Sequence, residues 1–105
     1  MKQYTSPDQT AKLIELGFEK PKGSHSYWRG NELVININYS IGELIEMLPQ
    51  VIEFGENSLS HPLRVMPTVG GGWAILYYNE YDERNNELID ALYDMVIRLK
   101  EEEVI

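Results

Sequence analysis

The sequence predicts one α+β domain over residues 1–105, in which an antiparallel sheet of about four strands from two hairpins packs against three helices. Three features indicate this class: two serine-led helix starts, two glycine turns between apolar runs, and a long amphipathic C-terminal segment. The predicted order is helix, hairpin, helix, hairpin, helix. A mixed sheet, in which the hairpins pair through parallel strands, is the alternative topology.

The first helix is predicted from its boundaries. Ser6 and Gln9 have the spacing of a capping box, and Gly17 stands where a helix of about ten residues would end. Three apolar side chains share one side of this helix and are expected to be its buried face: Ala11, Ile14 and Phe18.

The first hairpin is predicted to turn near Arg29, Gly30 and Asn31. In its second arm apolar and polar residues alternate, which is typical of a strand with one buried face. This pattern, with the apolar spacing of the later segments, predicts the core residues Leu33, Ile35, Ile37, Ile75, Leu88, Leu92 and Leu99.

A second helix is predicted to start at Ser40, because Ser40 and Glu43 form another capping box. Pro49 should end it, and the segment "QVIEFGENSLSHP" is expected to be a loop. The second hairpin is "LRVMPTVGGGWAILYYN", in which Pro67 indicates an edge strand or a strand end, and "WAILYY" indicates a central strand.

Three consecutive glycines, residues 70–72, raise the question of a phosphate-binding loop. A Walker-type loop needs a lysine and a hydroxyl after its last glycine, at the start of a helix. Here Trp73 and a strand pattern follow, and the spacing of a dinucleotide-binding fingerprint is also absent. The glycines are therefore interpreted as a hairpin turn.

The closing helix is predicted from about Asn85 to the acidic end. At about 100° per residue, its carboxylates fall within roughly 40° of one line, opposite the apolar face. One β-branched apolar residue lies inside this acidic stripe and is explained only if another element or a partner covers it. The predicted partner-binding stripe comprises Glu83, Glu87, Asp90, Asp94, Ile97 and Glu101.

The capped second helix and the ending "LIDALYDMVIRLKEEEVI" resemble small proteins of unknown function from prophages and mobile elements of gut bacteria. The resemblance covers about half of the chain and rests on apolar patterning. It implies a small α+β domain and assigns no functional residue.

Reactive chemistry finds little support. The chain has no cysteine, its histidines His25 and His61 are both expected in polar loops, and no "GxSxG" or "HExxH" motif is present. The acidic "NEYDERNNE" lacks the glycine and spacing of a calcium loop. The sequence therefore predicts no catalytic residue, no metal site and no cofactor.

Charge is unevenly distributed. Residues 1–42 have five basic and four acidic side chains, net +1, whereas residues 43–105 have four basic and thirteen acidic ones, net −9. Repulsion from phosphate argues against nucleic-acid or anionic-membrane binding, and neither a signal peptide nor a spanning segment is seen, so a cytoplasmic location is expected.

The functional hypothesis is a small acidic, non-enzymatic protein-interaction module, an accessory protein of a phage or mobile element, with a basic protein as partner. The composition also permits a homo-oligomer. Two alternatives stay open: a small carboxylate- or metal-dependent enzyme, and an acidic mimic of DNA.

Overall fold

A computed structural model describes residues 2–21, 25–36, 38–54, 59–78 and 80–105 of the chain. Within these ranges the chain forms three helices and two antiparallel sheets, so the predicted α+β class and the order of elements are confirmed. The elements are α1 (Pro7–Glu15), β1 (His25–Arg29), β2 (Glu32–Asn36), α2 (Ile41–Met47), β3 (Val51–Phe54), β4 (Leu59–Pro67), β5 (Trp73–Tyr77), β6 (Tyr81–Asn85) and α3 (Leu88–Glu101).

The strands are distributed differently from the prediction. β1 and β2 form a two-stranded sheet of their own, and the four-stranded sheet has the order β3-β4-β5-β6. β3 and the start of β4 lie in the segment that was expected to be a loop, and every described strand pairing is antiparallel. β4 ends at Pro67, as expected from the missing donor, but it lies inside the sheet.

Both capping boxes form. The amide of Gln9 donates to Ser6 Oγ and the amide of Glu43 donates to Ser40 Oγ, each at 3.2 Å, while the side chains of Gln9 and Glu43 accept from the cap amides. Pro49 follows α2 directly after its cap residue. These local signals fix where α1 and α2 begin.

The predicted buried face of α1 is wrong. Thr10 and Leu13 are its buried residues, whereas Ala11 and Ile14 are exposed; Phe18, the third predicted residue, lies beyond the helix and packs half-buried against the core. The reason is a buried polar network: Thr10 Oγ1 lies 2.7 Å from Thr5 Oγ1 and donates to Asn38 Oδ1 at 2.6 Å. A buried hydroxyl needs such partners, and the network turns Thr10 inward.

The core lies between α3 and one face of the four-stranded sheet, and buried residues of α1 and α2 extend it. Ile75, Leu88, Leu92 and Leu99 are buried in it, as predicted. Leu33 is not: its side chain is 50 % exposed on the first hairpin, beside Trp28 at 70 %. The side chain of Ile35 and the whole of Ile37 lie outside the described part of the chain.

The two faces of the four-stranded sheet differ. Ile75 and Tyr77 of β5 belong to the core cluster, and the alternate residues Ala74 and Leu76 do not. Side chains of directly paired residues share a face. The register therefore defines an outer face, opposite α3, in two rows: Met66, Ala74 and Arg84, then Arg64, Leu76 and Asp82.

Candidate functional site

The predicted acidic stripe is only partly helical. Glu83 lies on β6, where it pairs with Ile75, and α3 begins at Leu88 instead of near Asn85. The prediction extended the helix too far because residues 81–85 are polar and show no apolar alternation. Glu87 is the residue that precedes the helix, and the other members of the stripe lie on α3: Asp90, Asp94, Ile97 and Glu101.

Two members of the stripe, Glu87 and Asp90, form contacts within the chain. Lys2 Nζ lies 2.8 Å from Asp90 Oδ1, the Gln9 side chain donates to the same oxygen at 2.9 Å, and the Lys2 amide donates to Glu87 Oε2 at 3.1 Å. Burial would raise the pKa of Asp90, but the hydrogen bonds from Lys2 and Gln9 outweigh it and hold the pKa below its usual value. Glu87 and Asp90 thus fasten the N-terminal segment to α3.

The remaining members of the stripe come together between β6 and α3. They line a surface groove of about 310 Å³. Ile97 is half-buried and packs against the core, so the sheet and helix cover part of it and the groove exposes the rest. This acidic groove is lined by Glu83, Tyr93, Asp94, Ile97, Arg98 and Glu101.

Arg98 is the cation of the acidic groove, and its guanidinium is already engaged. It contacts Glu83 at 3.5 Å and Glu102 at 3.1 Å, donates to the Glu80 carbonyl at 3.1 Å, and lies over the Tyr81 ring. Three carboxylates line the groove beside this one cation. The groove therefore has an excess of negative charge.

Asp94 is a half-buried carboxylate of the groove. Burial raises its pKa, and the nearby Asp90 raises it further, against a hydrogen bond from Asn85 at 3.5 Å. A cation placed beside Asp94 would oppose both causes of the raised pKa. The lining of the groove combines the apolar side chain of Ile97 with carboxylates, and this combination suits the aliphatic stem and charged head of a lysine or arginine side chain.

The glycine turn is a hairpin turn, as predicted, joining β4 to β5. Thr68 closes it: its amide donates to the Gly72 carbonyl at 2.8 Å, and its hydroxyl accepts from the Gly72 amide at 3.0 Å. A Cβ on Gly72 would stand 2.8 Å from the Asn85 carbonyl oxygen, so this glycine permits the close approach of β6. A pocket of about 580 Å³ opens beside the turn, over Met66 and Ala74.

The histidines do not lie in loops. His25 begins β1, and His61 lies on β4, paired with Ile52. The His61 ring stacks between Phe54, at a centroid distance of 4.1 Å, and Tyr78, at 5.1 Å. Among the described residues, no three histidine, aspartate or glutamate side chains are grouped as they would be around a metal ion.

The outer face was not recognised from the sequence. Arg84 binds Asp82 through both carboxylate oxygens, at 3.1–3.3 Å, next to the exposed Met66 and the half-buried Leu76. The position of Arg64 between Leu63 and Val65 in β4 is the signal that could have revealed it. This face carries charges of both signs, whereas the acidic groove is anionic.

Comparisons with protein-family profiles, with curated proteins and with solved structures gave no match to this chain. No helix in the described ranges combines the length and the apolar character needed to cross a bilayer.

Proposed function

We propose that the chain is a non-enzymatic protein-interaction module that binds a basic segment of a partner protein in the acidic groove. The observation that supports this function is the groove itself, which is lined by Ile97 and Tyr93 together with three carboxylates. We also propose that the chain is an accessory protein of a phage or mobile element.

The favoured ligand is a lysine or arginine with apolar neighbours. Its aliphatic stem would lie on Ile97, and its charged head would meet Asp94 and Glu101. Arg98 cannot neutralise the groove alone, because its donors are shared among Glu83, Glu102 and the Glu80 carbonyl. The net charge of −8 would also speed the approach of a basic partner.

The groove residues also determine which variants are useful. Reversing Glu87 or Asp90 would break the contacts with Lys2, so lost binding could reflect a loosened N-terminus. Glu101 is exposed, and no hydrogen bond or ion pair within the described part of the chain holds it, so Glu101→Lys tests the groove at little structural cost. Asp94→Asn removes the central charge and keeps the shape.

The experiment is affinity capture from the native host with the wild-type chain, followed by binding kinetics with the purified partner. Glu101→Lys is expected to slow association about tenfold, with smaller effects as salt rises. Asp94→Asn is expected to weaken binding in the same direction. Circular dichroism checks that both variants remain folded.

The matched control is Glu15→Lys, which makes the same change in net charge at an exposed glutamate on α1. It should leave association nearly unchanged. Binding that ignores salt, Glu101→Lys and Asp94→Asn would contradict the groove. A captured ligand that the chain converts chemically would contradict the module and favour the enzyme alternative.

A further inference from the structure

We infer that the outer face of the four-stranded sheet is an interface for a second copy of the chain, related by a two-fold axis parallel to β5. This inference is independent of the proposed function, since the acidic groove includes the other side of the sheet. Leu76 lies at the centre of the outer face, between Arg64 and Asp82.

The outer face has the composition of an interface. Met66 is exposed and Leu76 half-buried, and two depressions of about 580 and 280 Å³ flank Leu76. Among the described elements, the helix that packs on this sheet is α3, and it covers the opposite face. Exposed apolar surface bordered by polar side chains is typical of protein contacts.

The charges on this face are arranged so that it complements itself. One row across the sheet reads cation, apolar residue, anion: Arg64, Leu76, Asp82. A two-fold axis along β5 exchanges the ends of the row, so Arg64 meets the partner's Asp82 and Leu76 meets the partner's Leu76. Isologous contacts of this kind close a dimer.

The neighbouring row obeys the same symmetry. The axis places Met66 opposite the partner's Arg84, whose aliphatic stem can pack on the thioether. The guanidinium of the partner's Arg84 stays bound to the partner's Asp82. Small Ala74 lies between them and lets the sheets approach. Face-to-face sheets pack about 10 Å apart with nearly aligned strands, which this arrangement requires.

The distribution of charge also favours this face, over the rest of the surface, as the dimer interface. A second copy also has a net charge of −8, so contact through acidic surfaces is repulsive. On the outer face Arg64 and Arg84 are matched in number by Asp82 and Glu53. Two copies that meet here keep their acidic grooves on the outside of the dimer.

The area of the outer face indicates how strongly two copies can associate. β4 spans nine residues, about 30 Å, but β3 lies beside residues 59–62 of β4, and β5 and β6 lie beside residues 63–67, so the sheet is two to three strands wide. The contact would therefore cover roughly 350–400 Å² per copy, below the usual size of a stable specific interface. We expect a dimer that dissociates on dilution.

The test is sedimentation velocity of the whole chain over a wide concentration range, at fixed salt. The wild type should shift from monomer to dimer as the concentration rises. Arg64→Asp and Asp82→Lys should each weaken dimerisation about tenfold or more, because each places two like-charged pairs across the axis.

Mixing these two variants is the decisive step. Across the axis Arg64→Asp faces Asp82→Lys, and the unchanged Asp82 of one copy faces the unchanged Arg64 of the other. Native mass spectrometry should therefore show a heterodimer that is stronger than either variant homodimer. Lys20→Asp and Glu15→Lys change the net charge equally at exposed sites outside the sheet and should not weaken the wild-type dimer.

Three outcomes would overturn the inference. The first is a wild type that stays monomeric at every concentration. The second is a dimer that both charge reversals leave unchanged. The third is a mixture of the two variants that forms no preferred heterodimer although both variants are folded.

Discussion

The strands β2 and β5 are both rich in apolar residues, which form a continuous run in β5, and the two strands lie in opposite environments. Leu33 on β2 is 50 % exposed, and Ile75 on β5 is fully buried. β5 lies inside a four-stranded sheet with α3 on one face, whereas β2 pairs with β1 in a two-stranded sheet. The apolar pattern thus identifies a strand with an apolar face, and the neighbouring elements decide whether that face is buried.

The largest expected effect is the loss of stability at the buried Leu92, compared with that at the exposed Leu33. Leu92→Ala should lower the free energy of unfolding by about 2–5 kcal/mol, because it deletes buried methyl groups and leaves a cavity under α3. Leu33→Ala should cost less than about 1 kcal/mol. Urea denaturation measures both, and equal losses would contradict the difference between the two environments.

A second contrast lies within the glycine turn. Gly72→Ala should destabilise the chain by about 1–3 kcal/mol, since its Cβ would overlap the Asn85 carbonyl oxygen. Gly70→Ala meets no atom within 4 Å and is the matched control. The melting temperatures of the two variants should differ clearly. If they coincide, β6 does not approach the turn as described.

The contribution of the stacked His61 ring to stability can be tested with two replacements. His61→Ala removes a ring stacked between Phe54 and Tyr78 and should cost about 0.5–1.5 kcal/mol. His61→Phe keeps a ring at that position and should recover most of the loss. A measurable loss for His61→Ala is not expected of a histidine in a polar loop, which is where the sequence placed His61.

The smallest expected effects concern the pH dependence of folding stability, to which Asp90 and Asp94 of α3 contribute in opposite directions. The pKa of Asp90 is lowered in the folded chain, so its stabilising contribution is present at neutral pH and is lost as pH falls through that lowered pKa. The pKa of Asp94 is raised, so its contribution is favourable below the unfolded pKa of about 4 and is lost as pH rises through the folded pKa.

Asp90→Asn should therefore lower stability at pH 7 by about 0.2–1 kcal/mol, and this loss should shrink below pH of about 4. Asp94→Asn should leave stability at pH 7 unchanged or slightly higher. Thermal melts from pH 3 to pH 7 compare the two variants. A loss at pH 7 that is equal for both would show that the Lys2 contact does not distinguish them.

Signals encoded within a few residues were read correctly from the sequence. The capping boxes at Ser6 and Ser40 and the turns at Gly30 and residues 70–72 all occur where they were predicted. Each depends on a side chain that bonds a nearby amide, or on a backbone angle that glycine adopts easily. No distant part of the chain is needed to specify them.

Features that depend on distant partners were missed. β6 is polar, and Glu83 lies on the inner face of the sheet because Arg98 of α3 reaches it. β3 has four residues, too few for a periodic pattern, and becomes a strand by pairing with β4. The acidic groove and the outer face likewise arise from residues that lie far apart in the sequence.

The central claim is that, at β5, the four-stranded sheet has an inner face that α3 covers, at Ile75 and Tyr77, and an outer face that is open at Leu76. Because the chain has no cysteine, Ile75→Cys and Leu76→Cys place single thiols on opposite faces of the same strand. In dilute solution, where any dimer is dissociated, a thiol reagent should modify Leu76→Cys rapidly and Ile75→Cys only upon unfolding. Equal protection of the two thiols, or faster reaction of Ile75→Cys in the folded chain, would contradict the account.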